Sequence, residues 1–225
     1  MRLYVLPGAC SLASHVALEV AADAQGREQG GPRSGLNVVV VQRGRHREPD
    51  YLAVNPRGTV PALVTCEGSL VVESLAVLLH IADQVPAAGL APPLGDPARD
   101  RLHGLLSFMV TTVHPTFQML WRAERFASTE EARADVRRTA EDRITAMLSI
   151  LEEELDSRGR LIPEKFSVAD AYLFVLGRWG LRLGRPTTAY PRLWRFTEAT
   201  AALPAARRAM EREGISLTEP KSGLG

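Results

Sequence analysis

The sequence predicts an α/β first half followed by an all-helical second half, and three observations carry this. Short apolar stretches and helical patterns alternate through the first eighty or so residues. A proline-rich segment, VPAAGLAPPLGDP (85–97), then interrupts, with prolines at 86, 92, 93 and 97. Beyond it, every patterned stretch repeats its apolar residues at helical spacing.

RLYVL (2–6) reads as a strand that runs into Pro7-Gly8. SLASHVALEVAADA (11–24) follows as a helix, with Leu12, Val16 and Val20 four residues apart. QGREQGGPRSG (25–35), with four glycines and a proline, reads as a surface loop. LNVVVVQ (36–42) is a continuous β-branched run, which predicts a buried strand. A charged connection, RGRHREPD (43–50), leads into a short helix and turn within DYLAVNPRG (50–58). VPALV (60–64) and SLVVE (69–73) flank CEG as a hairpin, and SLAVLLHIADQV from Ser74 is a helix. This order, βαβ then ββα, is the thioredoxin-like arrangement.

In the second half, Asp96 caps a helix with Pro97 at its first position. Ser128 and Glu131 read as a capping box for a long helix. Its apolar face carries Val136, Ala140, Ile144, Leu148, Leu151 and Leu155, and Gly159 ends it. SVADAYLFVLGRWGLRL (167–183) opens with a second box, Ser167 and Asp170, and is apolar nearly all round, as a buried central helix is. Two short helices follow, near 190–201 and 204–213, and the tail TEPKSGLG reads as frayed. The predicted organisation is a thioredoxin-like domain at 1–84, a linker at 85–96 and an all-helical domain at 97–225.

The chain has 225 residues, enough for a large domain or two small ones. With 27 basic and 26 acidic side chains the formal net charge is +1, and no basic block interleaves with aromatics. That balance argues against nucleic-acid binding. No stretch approaches 18 uninterrupted apolar residues, so no membrane span is expected, nor does the N-terminus read as a signal peptide. The two cysteines, Cys10 and Cys66, form neither a CxxC nor a Cys/His cluster with zinc spacing. No metal is expected, and a reducing cytoplasm is the natural compartment.

Cys10 sits where a strand turns into a helix. Unpaired N–H groups and the helix dipole there favour an anion, which lowers a thiol pKa. Position alone leaves two readings open, a reactive thiol or a small buried hydrophobe. Ser11 is a rival hydroxyl or an N-terminal cap. His15, about 140° further round the helix, is badly placed as the thiol's base and reads as a core or rim histidine.

Five segments in order resemble the bacterial beta class of cytosolic glutathione transferases. They are PGACSLASH (7–15), DYLAVNPRGTVPAL (50–63), VVES (71–74), ADQVP (82–86) and SVADAYLFVLGRW (167–179), and the resemblance spans about residues 1–213. It implies glutathione as co-substrate, a small hydrophobic electrophile as second substrate, and a homodimer. It implies that Cys10 contacts the glutathione sulfur and can form a mixed disulfide with it. Val60-Pro61 resembles the family's cis-proline pair, with Thr59 before it where the family has glutamine. Such a pair presents the Val60 backbone to the cysteinyl part of glutathione like an added strand. Glu73 and Ser74 resemble the pair that clamps the γ-glutamyl end at a helix N-terminus. Arg45, or its neighbours Arg43 and Arg47, takes the glycine carboxylate where the family uses lysine, and His46 beside them reads as solvated.

SFMVTTVHPTF (107–117) resembles the helix carrying the family's second-domain active-site histidine, here His114. A nearby imidazole can stabilise a thiolate or move a proton; the plain alternative is a helix-surface histidine. Ser107 stands where the family has asparagine, and Pro115 where it has lysine. Pro115 removes a cation and a backbone donor and should kink the helix near Thr111. Arg178 and Trp179 match an Arg-Trp pair near the cleft; Phe117, Met119 and Trp121 are candidates for an acceptor pocket. The expected activity is glutathione transfer or thiol-disulfide exchange through Cys10. A glutathione-dependent isomerase and a non-catalytic binding module are the alternatives.

Overall fold

The computed structural model describes residues 1–28, 37–163 and 165–218. The chain opens with β1 (Arg2–Val5), whose side chains alternate across a sheet. Leu3 and Val5 face the main core, while Tyr4 joins a smaller cluster with Val41, Tyr51 and Ala62 on the other face. β2 (Asn37–Val40) pairs with β1 in parallel, β3 (Ala62–Val64) pairs with it antiparallel, and β4 (Leu70–Val72) pairs with β3. The order β2-β1-β3-β4 puts β2 at an edge, where its residues are exposed or half-buried. The continuous Val run therefore does not mark a strand buried on both faces. It is long enough to place Val41, just past the strand, in the smaller cluster.

α1 (Ser11–Glu28) begins directly after the Pro7-Gly8 turn and runs four residues beyond the expected end. The rest of the glycine-rich stretch lies outside the described residues. α2 (Pro49–Leu52) is a single turn that puts Tyr51 edge-on against Tyr4 at 5.8 Å. α3 (Ser74–Gln84) packs beside α1. All described elements after α3 are helical: α4 (Pro97–Phe108), α5 (His114–Trp121), α6 (Glu130–Glu154), α7 (Val168–Gly180), α8 (Pro191–Ala201) and α9 (Pro204–Glu213).

Asp96 caps α4 by accepting the Ala98 N–H at 2.8 Å, with Pro97 at the first helical position as expected. α6 starts one residue later than predicted. Thr129, not Ser128, accepts the Ala132 N–H, and the helix ends at Glu154, well before Gly159. The Ser167–Asp170 box forms in full. Asp170 is buried and also accepts the Leu161 N–H at 3.0 Å, so one carboxylate takes donors from the helix and from the segment before it. Every residue of α7 is buried.

Pro115 acts as its chemistry requires. It has no N–H for the Thr111 carbonyl, and residues Met109–Val113 widen into a π-helical turn in which the His114 N–H reaches back to Met109. The hydroxyls of Thr111 and Thr116 donate to the carbonyls of Ser107 and Thr112, each at 2.8 Å. The break re-aims α5, and with it His114.

The two halves meet through α1, which packs against α7 and α9. Arg208 of α9 pairs with Glu19 at 2.7 Å and Asp23 at 2.6 Å on α1. His15 and Glu213, both fully buried, meet at 2.9 Å, which settles His15 as a core residue. Among the described residues no helix is long and apolar enough to cross a membrane.

Removing the carboxylate in Asp170→Ala orphans two backbone N–H groups and a hydroxyl in the core. A loss of roughly 2–4 kcal/mol is expected in denaturant unfolding, against about 1 kcal/mol for Ser167→Ala. A Cβ at Gly177 would collide with the Thr197 hydroxyl, which is tied to the Leu193 carbonyl at 2.7 Å. Gly177→Ala should therefore cost about 1–3 kcal/mol despite its better helix propensity, and an unchanged melting temperature would contradict this packing.

Candidate active site

The site forms where β1 ends. Gly8 adopts φ 71°, which only glycine takes without strain, and its peptide is held from both sides by the helical half. Its N–H donates to Glu213 Oε2 at 2.9 Å, and its carbonyl accepts the Trp179 indole N–H at 3.0 Å. Two residues on, Cys10 precedes α1 with its thiol 3.5 Å from the Val60 carbonyl, to which it donates. The Val60-Pro61 bond is cis, as the resemblance implied. Thr59 is anchored by its carbonyl, which accepts the Tyr51 hydroxyl at 2.6 Å and the Asn55 amide at 2.8 Å.

The chemistry of Cys10 differs from the sequence expectation. Burial pushes its thiol up to about 11; the Ser74 hydroxyl and the N–H groups of Ser11 and Cys10 pull the other way, and Glu73 adds to the rise. The helix N-terminus is present, but desolvation outweighs it. At neutral pH Cys10 is a thiol and a hydrogen-bond donor. Ser11 is not a competing hydroxyl in the cleft. It is fully buried, and its Oγ accepts the Leu6 N–H at 3.0 Å, locking the strand-to-helix turn.

A cleft of about 690 Å³ opens between the halves. Cys10, Thr59 and Val60 form one wall; His114, Pro115, Gln118, Trp121 and Trp179 form the other. His114 thus shares the cleft with the thiol. It is not a cation: burial lowers its pKa to about 4. Its Nδ1 lies 2.8 Å from the Tyr172 hydroxyl and its Nε2 lies 3.2 Å from the Gln118 amide nitrogen. Because that amide donates, Nε2 is the acceptor and Nδ1–H donates to Tyr172. Ser74 is close enough to Tyr172 and Cys10 to favour their ionised forms against burial. Hydrogen bonds therefore link Tyr172, His114 and Gln118 in an otherwise apolar interface.

Tyr172 was missed from sequence because it lies inside the SVADAYLFVLG run, where a tyrosine reads as core. The available signal was a hydroxyl on a helix apolar all round, since buried tyrosines find partners. Gln118 is four residues after His114, and that spacing was a second signal.

Glu73 precedes α3 with φ 73°, a strained conformation for a side-chain-bearing residue, and forms an exposed pair with Arg57 at 2.8 Å. Ser74 beside it is buried. Arg45 is turned away from the cleft: it pairs with Asp50 at 2.8 Å, and Arg43 and Arg47 line the cleft instead. His46 also lines it, so it is not simply solvated. Ser107 lies outside the cleft lining, its carbonyl taking the Thr111 hydroxyl across the π-helical turn. Phe117 is fully buried behind Trp121 and Trp179, with ring centroids at 5.1 Å and 5.5 Å, and Met119 does not line the cleft. Arg178 is buried with one nitrogen on the Ser216 carbonyl at 2.7 Å. No cluster of three metal-ligating side chains occurs among the described residues.

These protonation states are open to test. Alkylation of Cys10 by iodoacetamide in the unliganded protein, read by peptide mass, should be slow at pH 7 and rise toward pH 11. A midpoint below pH 8 would contradict the buried thiol. His114 has a folded pKa below its ordinary 6.5, so the unfolded chain takes its proton first. Its contribution makes stability fall as pH drops from 6.5 to about 4, with no effect above 6.5. His114→Gln should flatten that window in urea midpoints.

The chain is similar to known proteins in both sequence and fold. The model of the glutathione S-transferase N-terminal domain matches residues 35–84, and that of the C-terminal domain matches 108–204. Glutathione S-transferase GstA of Escherichia coli O157:H7 is 31% identical over 215 residues, covering 96% of this chain and all of its own. A beta-class glutathione S-transferase structure from Sphingomonas chungbukensis superposes with a TM-score of 0.80 at 35% identity, covering 96% of this chain and all of that one. A sphingomonad glutathione S-transferase complexed with glutathione gives 0.79 at 36% identity with the same coverage. With the strand order, the cis bond and the cleft between the two halves, these likenesses establish that the chain belongs to the glutathione S-transferase family, in its bacterial beta class.

Proposed function

We propose that the protein is a glutathione transferase that joins glutathione to an electrophilic carbon in the cleft between residues 1–84 and 97–225. The observation that supports this most is the placing of Cys10, at the start of α1, against the carbonyl of the cis Val60-Pro61 pair. The cysteinyl part of glutathione runs beside Val60 as an added strand, which brings its sulfur to Cys10. Ser74 at the N-terminus of α3 takes the γ-glutamyl carboxylate and Glu73 takes the ammonium. Glu73 exchanges Arg57 for that ammonium, and its strained backbone holds the carboxylate in place.

Cys10, still protonated at neutral pH, donates its S–H to the glutathione sulfur and so favours the glutathione thiolate. The thiolate attacks the acceptor carbon, the C–S bond forms and the leaving group departs with its electron pair. The proton released by glutathione goes to solvent. A high thiol pKa suits this donor role better than disulfide exchange, which needs the Cys10 thiolate. Exchange through Cys10 is therefore the slower activity at neutral pH. Arg43 or Arg47 takes the glycine carboxylate. The protein works as a homodimer in a reducing cytoplasm, and a solution mass near the single-chain 24.6 kDa overturns the dimer.

The test is initial-rate conjugation of glutathione with 1-chloro-2,4-dinitrobenzene. One thioether should form per glutathione consumed. Glu73→Gln should raise the KM for glutathione roughly tenfold with kcat nearly unchanged. Cys10→Ala should keep measurable conjugation but lose the glutathione adduct seen by intact mass after incubation with glutathione disulfide. Turnover that leaves glutathione unconsumed would instead indicate an isomerase, and absence of any glutathione-dependent turnover would indicate a binding module.

A further inference from the structure

The cleft has a charge pattern that a purely hydrophobic acceptor does not need. Arg43, Arg47, Arg122 and Arg125 all line it, and no aspartate or glutamate does among the described residues. Arg43 lies close enough to Arg122 and Arg182 for their charges to lower its pKa, after the effect of burial. These cations come from two distant parts of the chain, the connection after β2 and the segment after α5. Like charges brought together in a half-enclosed site give it a positive potential that favours an anionic ligand.

Glutathione accounts for only part of this. Its glycine carboxylate needs one arginine, and Arg47 stands with Gly58 and Thr59 on that wall. Its γ-glutamyl end goes to Glu73 and Ser74, outside this cluster. Arg122 and Arg125 remain on the opposite wall, beside the half-buried ring of Trp121 and the exposed ring of Phe126. Among the described residues the ion pair of Arg122 is a long one, to Glu124 at 3.9 Å. Two guanidinium forks and two aromatic rings lining the same cleft suit a flat ring bearing a carboxylate, because the fork matches a carboxylate in two-point geometry.

We infer that the acceptor is an aromatic electrophile carrying a carboxylate, with its ring on Trp121 and Phe126 and its charge on Arg122 and Arg125. The inference rests on the transferase reading above. The position after His114 holds proline, and the cations of this wall stand seven and ten residues further on, just past the end of α5.

The experiment compares 4-chloro-3-nitrobenzoate with 4-chloro-3-nitrobenzamide, alike in shape and leaving group. Each kcat/KM is divided by the uncatalysed rate with glutathione. In the reaction the glutathione sulfur replaces chloride on the ring, and chloride and a proton are released. The benzoate should be preferred roughly tenfold, and that ratio should collapse toward one in Arg122→Gln/Arg125→Gln. A wild-type ratio of one or less, or a ratio the double variant leaves intact, overturns the inference while conjugation itself still stands.

A binding measurement separates the two readings. Tryptophan quenching by 3-nitrobenzoate and 3-nitrobenzamide, which cannot be conjugated, is recorded on protein loaded with S-methylglutathione. Tighter binding of the benzoate, lost in the double variant, supports the anion site even if no conjugation is detected. Equal binding of the two overturns it. Failure of both chloro compounds to react, with 1-chloro-2,4-dinitrobenzene also inert, counts against the transferase reading alone.

Discussion

The peptide of Gly8 is the constraint on which the site depends. Its N–H is held by Glu213 from α9 and its carbonyl by Trp179 from α7, so the turn carrying Cys10 is set by helices from the far end of the chain. Glu213 meets His15 with its other oxygen, tying the same carboxylate to α1. The turn therefore cannot move without disturbing a buried pair. A thiol on a loose turn would sample many orientations. Here its direction toward the Val60 carbonyl is fixed by the packing of the two halves.

That packing also decides the electrostatics. Bringing α7 and α5 against the turn removes water from Cys10 and His114 together. The thiol rises toward 11 and the imidazole falls toward 4, so both groups are neutral at physiological pH. The pair is not a thiolate–imidazolium couple. The site stores its polarity in hydrogen bonds, through Val60, Tyr172 and Gln118, and leaves its net charge to the arginines at the rim. A neutral interior with a cationic mouth draws in anionic ligands without a buried counter-charge to displace.

Much of the scaffold was legible because it is governed by local rules. Asp96-Pro97 and the Ser167–Asp170 box specify helix starts within a few residues, and both formed as read. Pro115 specified a break because a missing N–H is a property of one residue. The errors were also local: Ser128 and Thr129 are both competent caps, and only the approach of the preceding chain selects between them. The Val run of β2 could not say whether the strand lies at the middle or the edge of the sheet, because that depends on which strands pair beyond it.

The sequence by itself determined the order of strands and helices, the place of the thiol at a helix start and its neighbours Val60 and His114 in the cleft. Tertiary structure alone decided the protonation of Cys10 and His114, the outward turn of Arg45 and the gathering of arginines from residues 43–47 and 122–125 on one cleft. The physical reason is range. Propensity, capping and periodicity act over a few residues, whereas desolvation and charge crowding sum over neighbours that are far apart in the chain and adjacent only in the fold.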